Sequence, residues 1–393
     1  MKSSDALIIG GGPAGSAAAI LLAKAGWRVQ VVERKEFPRR KVCGEYLSAT
    51  NWPLLRSLGI AEAFADLAGP PVRETAIFVG DKIARAPLPR PCDPSGLWGR
   101  ALPREHLDSL LLEQAVKFGV RVRQPARCVF VERTADGFRC CIESSSGPEA
   151  EEVSATVVIA AHGSWDLGDL PTERQPAKPR RNDLLAFKAH FQHSALPPGL
   201  MPLLSFADGY GGMTHCDGGR VSLSCCIRRE RLEKLTRKEG ESAGDAVLAH
   251  ILDSCPALRP VLEGAAIADS WLSAGPIRPG IRRCYADGVF VVGNAAGEAH
   301  PVVAEGISMA MQSAWLLTDR LITDSDERTV ARGYTRAWRH SFAPRIRAAA
   351  AIAHWAMRPR LVAATLPFLQ TWPKLLTFGA WLSGKSKLVI QPT

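Results

Sequence analysis

Asp5-Ala6-Leu7-Ile8-Ile9-Gly10-Gly11-Gly12-Pro13-Ala14-Gly15, followed by Arg28-Val29-Gln30-Val31-Val32-Glu33, decides how this chain begins to fold. Residues 5–10 read as a short apolar strand. Residues 14–25, rich in Ala and Leu and closed by Gly26, read as a helix. The second strand ends in an acid 18 residues after Gly15. Each part has a physical task. Gly10 permits the tight turn, Gly12 lets a pyrophosphate approach the backbone, and Gly15 lets the helix pack closely on the strands. Pro13 and Ala14 open the helix, whose free N–H groups and partial positive charge favour phosphate. Glu33 can accept hydrogen bonds from both hydroxyls of an adenosine ribose, and Arg34 follows it as a further cofactor contact. A lone Gly-x-Gly-x-x-Gly is weak. Strand, glycines, helix, strand and terminal acid within residues 5–33 form a specific dinucleotide signature. The acid disfavours a 2′-phosphate, so FAD or NAD is expected rather than NADP.

Around this unit lies a chain of 393 residues, long enough for two or three domains. Apolar residues at 46% and charged residues at 22% exclude collagen-like and disordered classes. The net charge of +10 is local. After Glu327 there is no Asp or Glu, and the last 66 residues carry 11 Lys and Arg. The first 327 hold 38 basic and 39 acidic residues. A near-neutral body without a recognition motif makes nucleic acid an unexpected partner. The ten cysteines contain no Cys-x-x-Cys pair, so no metal site is expected. Cys140-Cys141 and Cys225-Cys226 fall in strand-like runs, where neighbours point to opposite faces, so reduced thiols are expected. The apolar run at residues 6–9 ends in the glycines, which argues against a secretory signal. A cytoplasmic setting, peripheral on the inner membrane face, is the expectation.

Gly288-Val289-Phe290-Val291-Val292-Gly293-Asn294-Ala295-Ala296-Gly297 is a second apolar strand running into small residues, followed by His300-Pro301-Val302-Val303-Ala304-Glu305-Gly306-Ile307. It resembles the second FAD motif of glutathione-reductase-type flavoproteins. The resemblance implies FAD contacts at Gly293, Asn294, Ala304, Gly306 and Ile307. Asn294 stands where that family usually has Asp, and Ala304 where it usually has Gly, which should narrow the space beside the flavin ring. Leu102-Pro103-Arg104-Glu105-His106-Leu107-Asp108 resembles the Arg-x-x-Leu-Asp helix of the p-hydroxybenzoate-hydroxylase-like group and gives Arg104 a role toward the FAD phosphates. Thr156-Val157-Val158-Ile159-Ala160-Ala161-His162-Gly163-Ser164 resembles a further strand end of that group, with His162 in place of Asp. These likenesses imply an FAD-dependent oxidoreductase. No second Gly-x-Gly-x-x-Gly unit follows, so NADH or NADPH is expected only as a transient reductant, or electrons come from an external donor.

Phe37-Pro38-Arg39-Arg40-Lys41-Val42-Cys43-Gly44-Glu45-Tyr46-Leu47-Ser48 resembles a loop of the geranylgeranyl-reductase branch. It implies that Arg39 contacts FAD and that Cys43 and Gly44 lie beside the reactive face of the flavin. Cys43 is thus a candidate for chemistry or substrate positioning, weighed against a small buried thiol. Glu45 and Tyr46 are weaker candidates.

The expected architecture is α/β: a Rossmann-like, discontinuous FAD-binding domain over residues 1–69, 91–171 and 278–327, and an α+β antiparallel-sheet substrate domain over 70–90 and 172–277. A C-terminal helical region of residues 328–393 completes it. In residues 220–227, Val221, Leu223, Cys225 and Ile227 alternate onto one face. Tyr210 falls where prenyl reductases and halogenases carry aromatic pocket motifs, making it a substrate-contact candidate against a core aromatic. Gly212 and His215 replace the Trp and Pro of those motifs, which argues against a halogenase.

In the tail, Arg328, Arg332, Arg336 and Arg339 form one basic helical stripe, with Pro344 a potential kink. Residues 361–382 are apolar but interrupted by Pro367, Pro373 and Lys374, a poor transmembrane span that suits a membrane surface. The alternative is a helical cap on the FAD-binding domain. The expected activity is flavin hydride transfer to a C=C bond of an apolar prenyl, polyketide or acyl substrate, free or on a carrier protein. Two alternatives stay open: a monooxygenase hydroxylating an aromatic or polyketide-like substrate, and a non-catalytic FAD-binding assembly protein.

Overall fold

The computed structural model describes residues 2–91, 93–144, 150–164, 178–235 and 240–385. Lys2–Ile9 is a central strand, parallel to Val29–Val32 on one side and to Ala150–Ala160 on the other. Arg121–Arg123 and Val289–Val291 extend this parallel core outward. Ala6, Leu7 and Ile8 are fully buried, so both faces of the strand are covered. That is why the strand reads as a continuous apolar run and not as an alternation. The hairpin Ala126–Thr134 and Gly137–Ser144 pairs antiparallel with the first half of Ala150–Ala160.

Pro13–Lys24 starts directly after the glycines and packs between Gly306–Thr323 and Arg104–Lys117. The close approach has a visible cause. A Cβ on Gly15 would meet the Gly10 carbonyl oxygen at 1.8 Å. Gly10 itself has φ +112°, a conformation that costs other residues energy.

A second sheet runs Ala266–Ile267, Leu184–Gln192, Val221–Arg228, Gly209–His215, Leu200–Phe206, Glu74–Val79, Lys82–Pro87, with Leu272–Ile277 also on Leu184–Gln192. It is antiparallel but for one parallel pair, Leu200–Phe206 with Glu74–Val79. Val221, Leu223, Cys225 and Ile227 do share one face, packed with Val247 and Ile251 of the helix Ala243–Ser254. Ser222, Ser224 and Cys226 turn to the other side, toward the first domain. Cys140, Cys141, Cys225 and Cys226 are free thiols.

The tail divides in two. Glu327–Ala356 is one helix that runs through Pro344, capped by Asp326, whose carboxylate accepts from the Thr329 N–H at 2.9 Å. Its Val330, Tyr334, Trp338, Phe342 and Ile346 repeat at helical spacing and enter the core of the first domain. Arg328, Arg332, Arg336 and Arg339 face out, so this helix is a cap on the FAD-binding domain. Pro359–Thr371 and Lys374–Ala380 then cross to the second sheet. Val362 and Leu366 pack on Ile77, Val79 and Ala84. No described helix is long and apolar enough to cross a membrane.

Candidate functional site

Between the two sheets lies a cavity of about 730 Å³. The turn after Lys2–Ile9 brings Gly10, Gly12, Pro13 and Ala14 to one end of it. The end of Val29–Val32 adds Glu33 and Arg34, and the following loop adds Arg39, Cys43 and Gly44. Arg104 stands at the start of its helix, and the second small-residue strand end contributes Gly293, Asn294, Ala304, Gly306 and Ile307. Residues from five separated segments thus meet in one wall. Gly15 is the exception. It does not line the cavity, because its missing side chain serves the strand–helix crossing described above.

The walls fit a dinucleotide. A Cβ on Gly12 would find its nearest neighbour, the Arg104 guanidinium, only at 3.7 Å, and one on Gly306 would find nothing within 4 Å. Both glycines leave open space where a ligand can approach the backbone. Arg39, Arg40, Lys41 and Arg104 line the same end. Burial, reinforced by the charges of Arg104 and Arg39, holds the Lys41 ammonium down to about 8. An anionic diphosphate would relieve that repulsion. Glu33 turns one carboxylate oxygen to the Gly11 N–H at 2.8 Å and the other to the Lys35 N–H at 2.9 Å. Those bonds fix the carboxylate at the cavity wall, where its remaining lone pairs suit ribose hydroxyls. Asp108 pairs with Arg104 through two bonds of 2.7 Å, which orients the guanidinium and makes Asp108 its partner within the helix. The Asn294 amide donates to Ser164 and Glu298, each at 3.2 Å. Ala304 has φ +53°, the left-handed region in which the related motif places glycine.

The opposite wall is the second sheet with part of the tail. Ile77, Met201, Leu203, Met213, Trp355 and Leu376 line it. Tyr210 lines it too, yet is almost wholly buried. Its hydroxyl lies 3.3 Å from His300 Nδ1. Burial pushes the phenol well above its usual value, helped by Cys226. Burial, then the neighbouring His354, lowers His300 to about 4. At neutral pH the pair is therefore an uncharged phenol hydrogen-bonded to a neutral imidazole.

Sequence reasoning named Glu45 but missed Lys188 and His190, which lie with it beneath the flavin loop. Glu45, in the left-handed region at φ +62°, is buried with Lys188 and His190. Its carboxylate bonds the Lys188 ammonium, and its other oxygen meets His190 Nε2 at 2.9 Å. Burial would raise the Glu45 carboxyl, but the His190 hydrogen bond and the Lys188 charge outweigh it and hold the group at about 2. The signal was present: Lys188 and His190 are two apart in an otherwise apolar strand, so they share a face. Glu45, His190 and Cys216 also come within metal-ligand range of one another. A cation there would have to displace the ammonium that already holds Glu45. Lys385 gave no such signal. It enters the cavity wall from the tail, with Nζ 2.6 Å from the Val303 carbonyl and 3.3 Å from Glu305.

This arrangement, two sheets with a glycine- and cation-lined crevice at the strand ends, is that of a flavin-binding fold. The chain belongs to the FAD binding domain family, whose model matches residues 3–331. Among curated relatives it is 25% identical to conditioned medium factor receptor 1 of Dictyostelium discoideum, over 83% of this chain and 65% of that protein. It is 33% identical to menaquinone reductase of Mycobacterium tuberculosis, over 41% of this chain and 38% of that protein. The chain thus spans less than two thirds of these two relatives. Digeranylgeranylglycerophospholipid reductase 1 of Methanothermobacter thermautotrophicus is 27% identical over 79% of this chain and 75% of its own. The fold is shared with the flavin-dependent brominase Bmp2 (TM-score 0.76, 19% identity, 98% of this chain and 94% of that one). It is shared also with a probable FAD-dependent monooxygenase from Pseudomonas aeruginosa (TM-score 0.69, 18% identity, 95% and 100%).

Proposed function

We propose that the chain is an FAD-dependent oxidoreductase that adds a hydride and a proton across a carbon–carbon double bond of an apolar prenyl, polyketide or acyl substrate. The two-ended cavity supports this reading: a glycine- and cation-lined end for the cofactor meets a wall of Ile77, Met201, Leu203 and Met213. Bound FAD would supply the two-electron chemistry, and its electrons would come from an external two-electron donor such as a reduced nicotinamide. The chain's own residues position and exclude. Arg39 and Arg104 would hold the diphosphate, and Glu33 would hold the ribose. The apolar wall selects substrate and keeps water out. Tyr210, bonded to neutral His300, presents an oriented hydroxyl beside the substrate. Cys43, on the cavity-lining loop, is the second side chain we assign to substrate contact. The reductase names of two relatives agree with this reading.

The test is anaerobic reduction of the flavin-loaded protein with NADH, NADPH or dithionite, followed by prenyl lipids or by oxygen. The expected result is re-oxidation by an alkene alone, with a saturated product. Substrate-dependent oxygen uptake with a hydroxylated product would establish monooxygenation instead. A purified protein that holds no flavin and takes none up would overturn both.

A further inference from the structure

The segment from Pro359 to Lys385 has two faces of opposite character. Its inner face is fixed to the body. Val362 and Leu366 are buried on the second sheet, Gln370 donates to the Ile83 carbonyl at 2.9 Å, and Thr377 donates to the Pro87 carbonyl at 2.7 Å. Lys385 then anchors the far end at Val303 and Glu305. Between these anchors Leu376, Gly379 and Ala380 form part of the cavity wall.

The outer face is apolar and uncovered. Of the fifteen large hydrophobic side chains exposed among the described residues, seven lie between Leu361 and Leu382. Two of the seven are the exposed tryptophans, Trp372 and Trp381, each 52% exposed. Phe368 packs edge-on against Trp372 at 4.3 Å, and Phe378 stacks on Trp381 at 5.7 Å, so the rings are grouped rather than scattered. Scattered single apolar residues are ordinary on a protein surface, but two exposed aromatic pairs within fourteen residues mark a contact. Arg360 and Lys374 are exposed in the same segment and Arg358 just before it, and no Asp or Glu occurs in residues 328–393. Aromatic rings with cations and without acids match the boundary of an anionic bilayer, where rings settle at headgroup depth and cations meet lipid phosphates.

We propose that the outer face of residues 359–382 docks on an anionic phospholipid bilayer, and that this same segment is the partition between the lipid and the cavity. Leu375 marks the passage, since it lines the cavity and is also exposed. An apolar substrate then enters beside it directly from the lipid, without crossing water. The proposal deepens the apolar-substrate reading above. Docking is measured without turnover, so its failure leaves the reaction assignment standing or falling on its own test.

The experiment uses the full chain loaded with FAD and vesicles of phosphatidylcholine, with or without about a third phosphatidylglycerol. A variant carrying Trp372→Ser, Phe378→Ser and Trp381→Ser is compared with it. All three positions are exposed, and thermal melting with retained flavin checks the fold of the variant. The native chain is expected to sediment with the anionic vesicles at least about tenfold more tightly than the variant, and to weaken as salt rises. Indole fluorescence should shift to the blue on binding. Equal binding by native chain and variant, or none by either, overturns the proposal. So does a concentration-dependent dimer that the triple substitution abolishes, because a second copy would then be the occupant.

Discussion

At the scale of single residues, the two inner glycines of the nucleotide turn answer to different forces. Gly12 has φ −72°, which any residue adopts, and faces open space beside Arg104. Gly15 faces the Gly10 carbonyl oxygen. Gly12→Val should therefore lower FAD affinity by about tenfold or more while the flavin-free protein melts as before. Gly15→Ala should destabilise the flavin-free protein itself by about 1–3 kcal/mol through overpacking. Flavin titration and thermal melting separate the two. Glu45 gives a pH signature. Its carboxyl titrates near 4.5 when unfolded and near 2 when folded. Below 4.5 the unfolded chain takes up the proton first, so the stability this group contributes is complete above that pH and lost as pH falls toward 2. In Glu45→Gln the acid side of the stability–pH curve should flatten. The same variant should be about 3–5 kcal/mol less stable at neutral pH, because Lys188 is left buried without its carboxylate. Chemical denaturation across pH 2–7 measures both.

At the scale of elements, the helix Glu327–Ala356 shows what a charge count hides. Its arginine stripe is legible in sequence, and so is the opposite stripe of Val330, Tyr334, Trp338, Phe342 and Ile346. Which stripe does the work depends on packing. Trp338 is 1% exposed and meets Phe342 edge-on at 5.4 Å. Trp338→Ala should cost about 3–5 kcal/mol, whereas Arg336→Ala on the exposed stripe should stay within about 0.5 kcal/mol. Urea unfolding of the two variants decides. The same logic applies to Val221–Arg228, where the alternation was read correctly from sequence. Its two faces serve different ends: Val221, Leu223 and Ile227 the core, Ser222 and Ser224 the cavity.

At the scale of the whole molecule, the cavity exists only because distant segments converge. Gly10, Arg104, Gly293 and Lys385 are separated by most of the chain and line one space. The sequence by itself determined the nucleotide-binding half: its glycines, terminal acid and strand–helix periodicity are local signals, imposed by backbone geometry over a few residues. It also located the basic surplus after Glu327. Only the tertiary structure decided the rest. Glu45 meets Lys188 and His190 across more than 140 residues, and Lys385 meets Glu305 across 80. Such pairings leave no period in the sequence, because burial of a charge is fixed by what folds over it. The same reason split the tail. Two adjoining apolar, basic stretches look alike as sequence, but one finds a core to enter. The other packs its inner face on the second sheet and leaves its aromatic face outside.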